Sequence, residues 1–275
     1  MMRLLTILIW VLGIGAAVAA EPLQIVVMDP LSKPLSCPCV EGYAQRDYQP
    51  LADAIAERIG APVELQFVES LEGVPQPDLV IGKQSVVVSD AADQGFGLRP
   101  VARLTGKDGL TTQTGLLVVR SGDSAQTVDD LDGYRILFGP ADCDEKHAAA
   151  KRLLRAHGIK VAAEPEISEA CSDGACRILE WGEAEQAATV ISSYAQPLLE
   201  GCGTIQPGDL RVIGETEPVP FITAFLRDDL APQQQAAIAE TLLAVGQQSE
   251  LQQALETAAG FVAVAESERP AEKKN

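Results

Sequence analysis

The stretch Gly115–Leu154, GLLVVRSGDSAQTVDDLDGYRILFGPADCDEKHAAAKRLL, decides how the rest of the chain is read. Leu116–Val119 is an apolar run that reads as a buried strand, Thr127–Leu131 as a short helical turn, and Tyr134–Phe138 as a second strand. Gly139-Pro140 breaks that strand before a helix expected to start near Asp142 and to run over Glu145–His157. A helix beginning at the carboxyl end of a strand points unpaired N–H groups and a partial positive charge into a crevice of the sheet, which is where small ligands bind. Asp142-Cys143-Asp144-Glu145-Lys146-His147 fills that junction.

The same alternation extends on both sides. Upstream, Leu23–Met28 reads as a strand, Tyr48–Ile59 as an amphipathic helix ended by Gly60, Val63–Val68 as a strand, and Leu79–Ile81 as a short buried strand running into Lys83-Gln84-Ser85, with Val101–Leu104 next. Downstream, Glu164–Ile167 reads as an edge strand, Cys176–Glu185 as a helix, and Ala188–Ile191 as a strand ending in Ser192-Ser193-Tyr194. Leu210–Ile213 and Ile222–Leu226 are strands, and Pro232–Gln248 is a long helix. Repeated strand and helix units imply an α/β fold with mainly parallel sheets whose faces are covered by helices.

Residues 1–20 read as a cleavable export signal: Arg3, an apolar core over Leu4–Ile14 and small residues before Glu21. A membrane anchor is the alternative, but the apolar part is shorter than the ~20 residues that spanning requires. The expectation is therefore a periplasmic, soluble mature chain with no membrane insertion. The full sequence has a formal net charge of -18 and loses Arg3 with the signal, and with Lys and Arg scattered this argues against nucleic acid as a partner. The tail 266–275 is charged and expected to be disordered.

Six cysteines in an exported chain point to disulfides. Cys171 and Cys176, around a Gly-containing tetrapeptide, are one candidate pair; Cys143 with Cys202, or with Cys37 or Cys39, are others. Cys143 at a helix start would tend towards thiolate, and His147 lies four residues on along the same face. Cys37, Cys39, Cys143 and His147 then form a soft-metal set suited to Cu(I) or Zn. Disulfide, metal ion and reactive thiol stay open as readings of these cysteines.

Four stretches together carry a resemblance to a family: residues 48–65 (YQPLADAIAERIGAPVEL), 77–87 (PDLVIGKQSVV), 116–139, and 210–230 (LRVIGETEPVPFITAFLRDDL). They resemble the phosphonate-type (phosphate, phosphite and phosphonate) periplasmic solute-binding proteins of ABC transporters. The resemblance implies a two-lobed type II periplasmic binding protein fold, with lobe one over 21–112 and 222–265, lobe two over 113–213, and a return hinge at 214–221. It implies capture of a small oxyanion between the lobes, no catalysis and no cofactor, an ABC permease as partner and a monomeric state. Carried onto this chain, the cleft positions are Lys83, Gln84, Ser85, Asp142, Cys143, Ser192, Ser193, Tyr194 and Glu217.

The chain departs from that pattern at 142–147. Relatives of this kind place a small hydroxyl-rich, glycine-containing loop where Asp142, Asp144 and Glu145 stand here. Asp142 and Glu145 are spaced as a capping pair, which would use the backbone donors an oxyanion needs, and carboxylates repel an anion. An accessory protein serving a periplasmic redox enzyme through its Cys/His set is the alternative; no Ser/His/Asp spacing, nucleotide loop or paired-carboxylate motif supports an enzyme.

Overall fold

A computed structural model describes residues 21–36 and 45–265. Residues 1–20, expected to be an export signal, residues 37–44 with Cys37 and Cys39, and residues 266–275, expected to be disordered, lie outside the described residues. In chain order the first elements are β1 (Leu23–Met28), α1 (Gln49–Ile59), β2 (Val63–Phe67), β3 (Leu79–Lys83), α2 (Gln84–Gln94), β4 (Leu98–Leu104) and β5 (Thr112–Gln113). Then come β6 (Gly115–Arg120), β7 (Arg135–Phe138), α3 (Ala148–Ala156), β8 (Glu166–Ile167), α4 (Cys171–Trp181), β9 (Ala187–Ser192) and α5 (Ala195–Gly201). The chain ends with β10 (Leu210–Glu215), β11 (Val219–Pro220), β12 (Ile222–Arg227), α6 (Pro232–Ala244), α7 (Ser249–Ala254) and β13 (Phe261–Ala263).

The period-2 alternation of each strand feeds two apolar layers. In β1, Leu23, Ile25 and Val27 face a core built with Leu51 and Ile55 of α1 and Ile238 and Leu242 of α6, while Val26 and Met28 face Val87 and Ala91 of α2. The resulting sheet has the order β13-β4-β12-β3-β1-β2. The second sheet, β10-β6-β9-β7-β8, is covered in the same way. Leu117, Val119 and Val190 pack on Ala150 and Leu154 of α3, and Val118, Leu137 and Ile191 pack on Ala175 and Ile178 of α4. Each such fully buried Leu, Ile or Val is worth about 1.5–3 kcal/mol relative to exposure.

Two α/β lobes therefore exist, each with its own core. The sheets are mixed rather than mainly parallel. β1 runs parallel to β2 and β3, and β7 to β8 and β9, but β12 is antiparallel to β3 and β4, and β6 to β9 and β10. β6 and β12 are the strands on which the chain enters one lobe from the other, and no covering helix precedes either of them to bring it parallel to its neighbours. Between the lobes β5 and β11 pair antiparallel, Val219 opposite Gln113, so the two crossings travel side by side.

Two boundaries differ from the sequence reading for identifiable reasons. The helix expected from Glu145 is preceded by a separate 3-10 turn, Asp144–Lys146, and α3 begins only at Ala148. Helix α4 begins at Cys171, five residues earlier than expected, with Gly174 inside it rather than in a loop. A Cβ on Gly174 would run into the Thr189 hydroxyl of β9, so this glycine serves close helix-to-strand approach.

Candidate ligand-binding site

The tips of β3 and β9, one from each lobe, and the turn after β7 meet at one point. Lys83, the last residue of β3, places its ammonium Nζ 2.6 Å from Glu145 Oε1, and the Ser192 hydroxyl at the end of β9 donates to the same oxygen at 2.6 Å. Lys83 and Glu145 side chains are 6% and 0% exposed, so this is a buried ion pair crossing from one lobe to the other. Burial works against the Lys83 charge, but Glu145 and, more weakly, Tyr194 and Cys143 outweigh it and hold the ammonium above its ordinary pKa. Glu145 Oε2 is also buried and takes no donor among the described residues.

Two cavities of about 430 Å³ each flank this point, and both draw lining residues from both lobes. One, the lysine cavity, is lined by Lys83, Lys146, Cys143, Cys171 and Tyr194 among apolar groups such as Met28, Val86, Leu198 and Leu199. Lys146 is 5% exposed and its ammonium has no hydrogen bond or ion pair among the described residues. An ammonium that faces the cavity without a counter-charge of its own is available to an anion entering there. The lysine stem lies across Gly139, where a Cβ would come within 2.6 Å of the Lys146 Cβ. The other, the hinge cavity, is bordered by Arg46, Thr112, Gln113, Ser193 and Phe221, and shares Tyr194 and Leu198 with the first. Tyr194 stacks on Phe221 with ring centroids 5.2 Å apart, and burial pushes its hydroxyl pKa up.

The expected site residues separate into those the cavities use and those they do not. Lys83, Cys143, Ser193 and Tyr194 line them; Ser192 holds Glu145 from behind. Ser85 accepts the Asp144 backbone N–H at 3.3 Å, a second bond between lobes. Gln84 accepts instead from Thr223 Oγ1 at 3.0 Å and from Arg103, away from the cavities. Asp142 lines neither cavity, and Glu217 is a surface residue paired with Arg152. Asp142 and Glu145 do not cap a helix: Cys143 is the N-cap position of the 3-10 turn and makes no side-chain cap bond.

The cysteine expectations need correction. Cys143, Cys171, Cys176 and Cys202 are all free thiols. Cys171 and Cys176 lie five positions apart on α4, so their side chains leave different sides of the helix and no bridge joins them. Cys143 is not bridged to Cys202, and burial raises its thiol pKa rather than the helix end lowering it. Of the expected metal set only Cys143 and His147 are described, and the His147 ring is engaged elsewhere: Nδ1 lies 2.8 Å from the Gly139 carbonyl oxygen and Nε2 lies 2.7 Å from Lys151 Nζ. Among the described residues no three His, Cys, Asp or Glu side chains converge on a metal position; Cys37 and Cys39 lie outside them.

Sequence reading missed Glu145 as the partner of Lys83, the unpaired Lys146, and a buried triad in which Asp29 Oδ2 accepts from Tyr48 OH at 2.6 Å and Arg46 Nη1 at 2.9 Å. Only the buried-strand context of Lys83 hinted at any of these, since a lysine at the tip of a fully apolar strand demands a counter-charge.

Comparison with known proteins places the fold. A family model described as "ABC transporter, phosphonate, periplasmic substrate-binding protein" matches residues 42–269. No curated protein matches by sequence. Among solved structures, a Xanthomonas citri protein bound to ATP superposes with a TM-score of 0.66 at 14% identity, over 90% of this chain and 93% of its own. PhnD1 of Prochlorococcus marinus in complex with methylphosphonate gives 0.66 at 11% identity, over 90% and 94%. A binding protein component of an ABC phosphonate transporter of Pseudomonas aeruginosa gives 0.64 at 13%, over 88% and 82%. These likenesses establish the fold, and the match over most of the chain establishes the lineage: the protein belongs to the periplasmic phosphonate substrate-binding family of ABC transporters.

Proposed function

We propose that this chain is exported by its first 20 residues and captures a small organic anion of the phosphonate type in the lysine cavity, presenting the closed form to an ABC permease. Lobe one would comprise 21–112 and 222–265, lobe two 113–213, and the return hinge 214–221, the protein acting as a monomer that binds without chemical change. The carrying observation is Lys146, buried and unpaired, on a cavity lined from both lobes. Apolar neighbours such as Met28, Val86 and Leu199 suit a ligand whose anionic head carries a short hydrocarbon part. No helix of the described residues is long and apolar enough to cross a membrane.

Closure on a guest is a population shift set by differential affinity for open and closed forms. Methylphosphonate added to the mature protein should raise Tm and lower the radius of gyration in X-ray scattering, and Lys146→Met should lose about tenfold or more in affinity. Equal binding by wild type and Lys146→Met would remove Lys146 as the anchor. Absence of any response to phosphonates, phosphate or sulfonates would remove the capture function.

A further inference from the structure

The Lys83–Glu145–Ser192 cluster does something a ligand would otherwise do. An ammonium and a hydroxyl, supplied by the tips of strands in opposite lobes, both donate at 2.6 Å to one carboxylate oxygen. A tetrahedral oxyanion offers such donors the same kind of acceptor: an anionic oxygen at charge-assisted distance. Here the acceptor belongs to the chain itself, carried on the turn between β7 and α3. Its neighbour Asp144 adds a backbone bond to Ser85 of the other lobe at 3.3 Å, so the same turn ties the lobes together twice.

Charge accounting shows what this leaves for a guest. Glu145 neutralises Lys83, Lys146 remains uncompensated, and two further carboxylates, Glu69 and Glu169, lie on the lining of the same cavity. A dianion entering beside Lys83 would meet a buried carboxylate already in place, and like charges in such a site repel strongly. The carboxylate is nevertheless half satisfied, because Oε2 has no donor among the described residues, so its withdrawal forfeits fewer bonds than that of a fully held group.

We propose that Glu145 is a specificity-determining internal counter-anion: its carboxylate occupies the oxyanion position between Lys83 and Ser192, closes that end of the cleft without a guest, and keeps inorganic phosphate out of the position beside Lys83. This rests on the interlobe cleft being the capture site, and it adds a residue whose removal should widen, rather than abolish, what the cleft accepts.

The test uses the mature full chain, inorganic phosphate as probe, calorimetry for affinity and X-ray scattering for shape. Glu145→Ala should gain phosphate affinity by about tenfold or more over wild type, because it frees a buried cation. Its radius of gyration without ligand should exceed that of wild type and contract when phosphate is added. Lys83→Met in the Glu145→Ala background should cancel the gain. Should Glu145→Ala not fold, Glu145→Gln, which keeps the size but removes the charge, should show a gain in the same direction. Phosphate affinities within twofold across wild type and variants would overturn the proposal. If methylphosphonate still compacts wild type in that case, capture stands and only the role of Glu145 falls. If Glu145→Ala gains phosphate while methylphosphonate leaves wild type unchanged, the role of Glu145 stands and phosphonate capture falls.

Discussion

Cys143 and Cys202 show how far a residue's surroundings, rather than its type, set its chemistry. Burial raises the Cys143 thiol pKa, and the nearby Lys83 and Lys146 charges only partly offset it. At Cys202 the Thr204 hydroxyl lies 3.0 Å from the sulfur and holds the pKa below its ordinary value. Because the thiolate is the reacting species, alkylation should follow that order. Mass spectrometry of the folded protein exposed briefly to iodoacetamide at mildly alkaline pH should find Cys202 modified well before Cys143. Equal rates would mean that the lysine cavity opens freely to solvent. The sequence could not give this ordering. It places Cys143 beside a helix start, but the residue precedes a 3-10 turn and points into a cavity made with residues 50 or more positions away, such as Lys83.

At the scale of elements the chain was largely legible, because period-2 strands and period-3.6 helices each carry a repeating apolar signal. β1, α1, β9 and α6 begin within a residue or so of where their patterns predict, whereas α2, which starts directly after Lys83 at the tip of β3, was not among the elements read. What the pattern does not encode is how near two elements come. Gly115 of β6 is the sharpest instance: it faces Ser192 in the β9 register, and a Cβ there would collide with the Glu145 carbonyl oxygen. Its N–H also donates to Thr216 Oγ1 at 2.8 Å, fastening the start of β6 to the return crossing. Gly115→Ala must therefore push the 144–146 turn outward. Overpacking of this kind costs about 1–3 kcal/mol, several degrees in Tm for a protein of this size, and phosphate should gain access to Lys83 as the turn retreats. Gly122→Ala, where an added Cβ meets nothing within 4 Å, serves as the control and should leave Tm nearly unchanged. A Gly115→Ala protein as stable as Gly122→Ala would show that the turn yields at no cost.

For the whole molecule, the order of segments was enough to identify a two-lobed fold, whereas the pairing that joins the lobes was not readable. Lys83 and Glu145 are 62 positions apart, and no local period links a strand tip in one lobe to a turn in the other. That pairing has a consequence for stability against pH. Lys83, Cys143 and Tyr194 all have folded-state pKa values raised above ordinary, the lysine by Glu145 against the opposing cost of burial, the other two by burial itself. A raised value means the folded chain keeps a proton that the unfolded chain releases. The stability so contributed is fully present below each ordinary pKa and is lost as pH climbs from that value through the folded one. The window opens at about pH 8.5 with the thiol and deepens near about pH 10.4 with the lysine. Thermal unfolding of wild type should therefore show Tm falling progressively from pH 8 towards pH 11. The neutral pair Lys83→Met with Glu145→Gln should flatten the upper part of that fall, because the unfolded chain then has no lysine at position 83 to deprotonate. Since buried ion pairs replaced by neutral groups of similar size are often tolerated, the double variant should fold at neutral pH. An alkaline slope identical in wild type and double variant would show that Lys83 contributes nothing to it and that the lobes are held by other contacts.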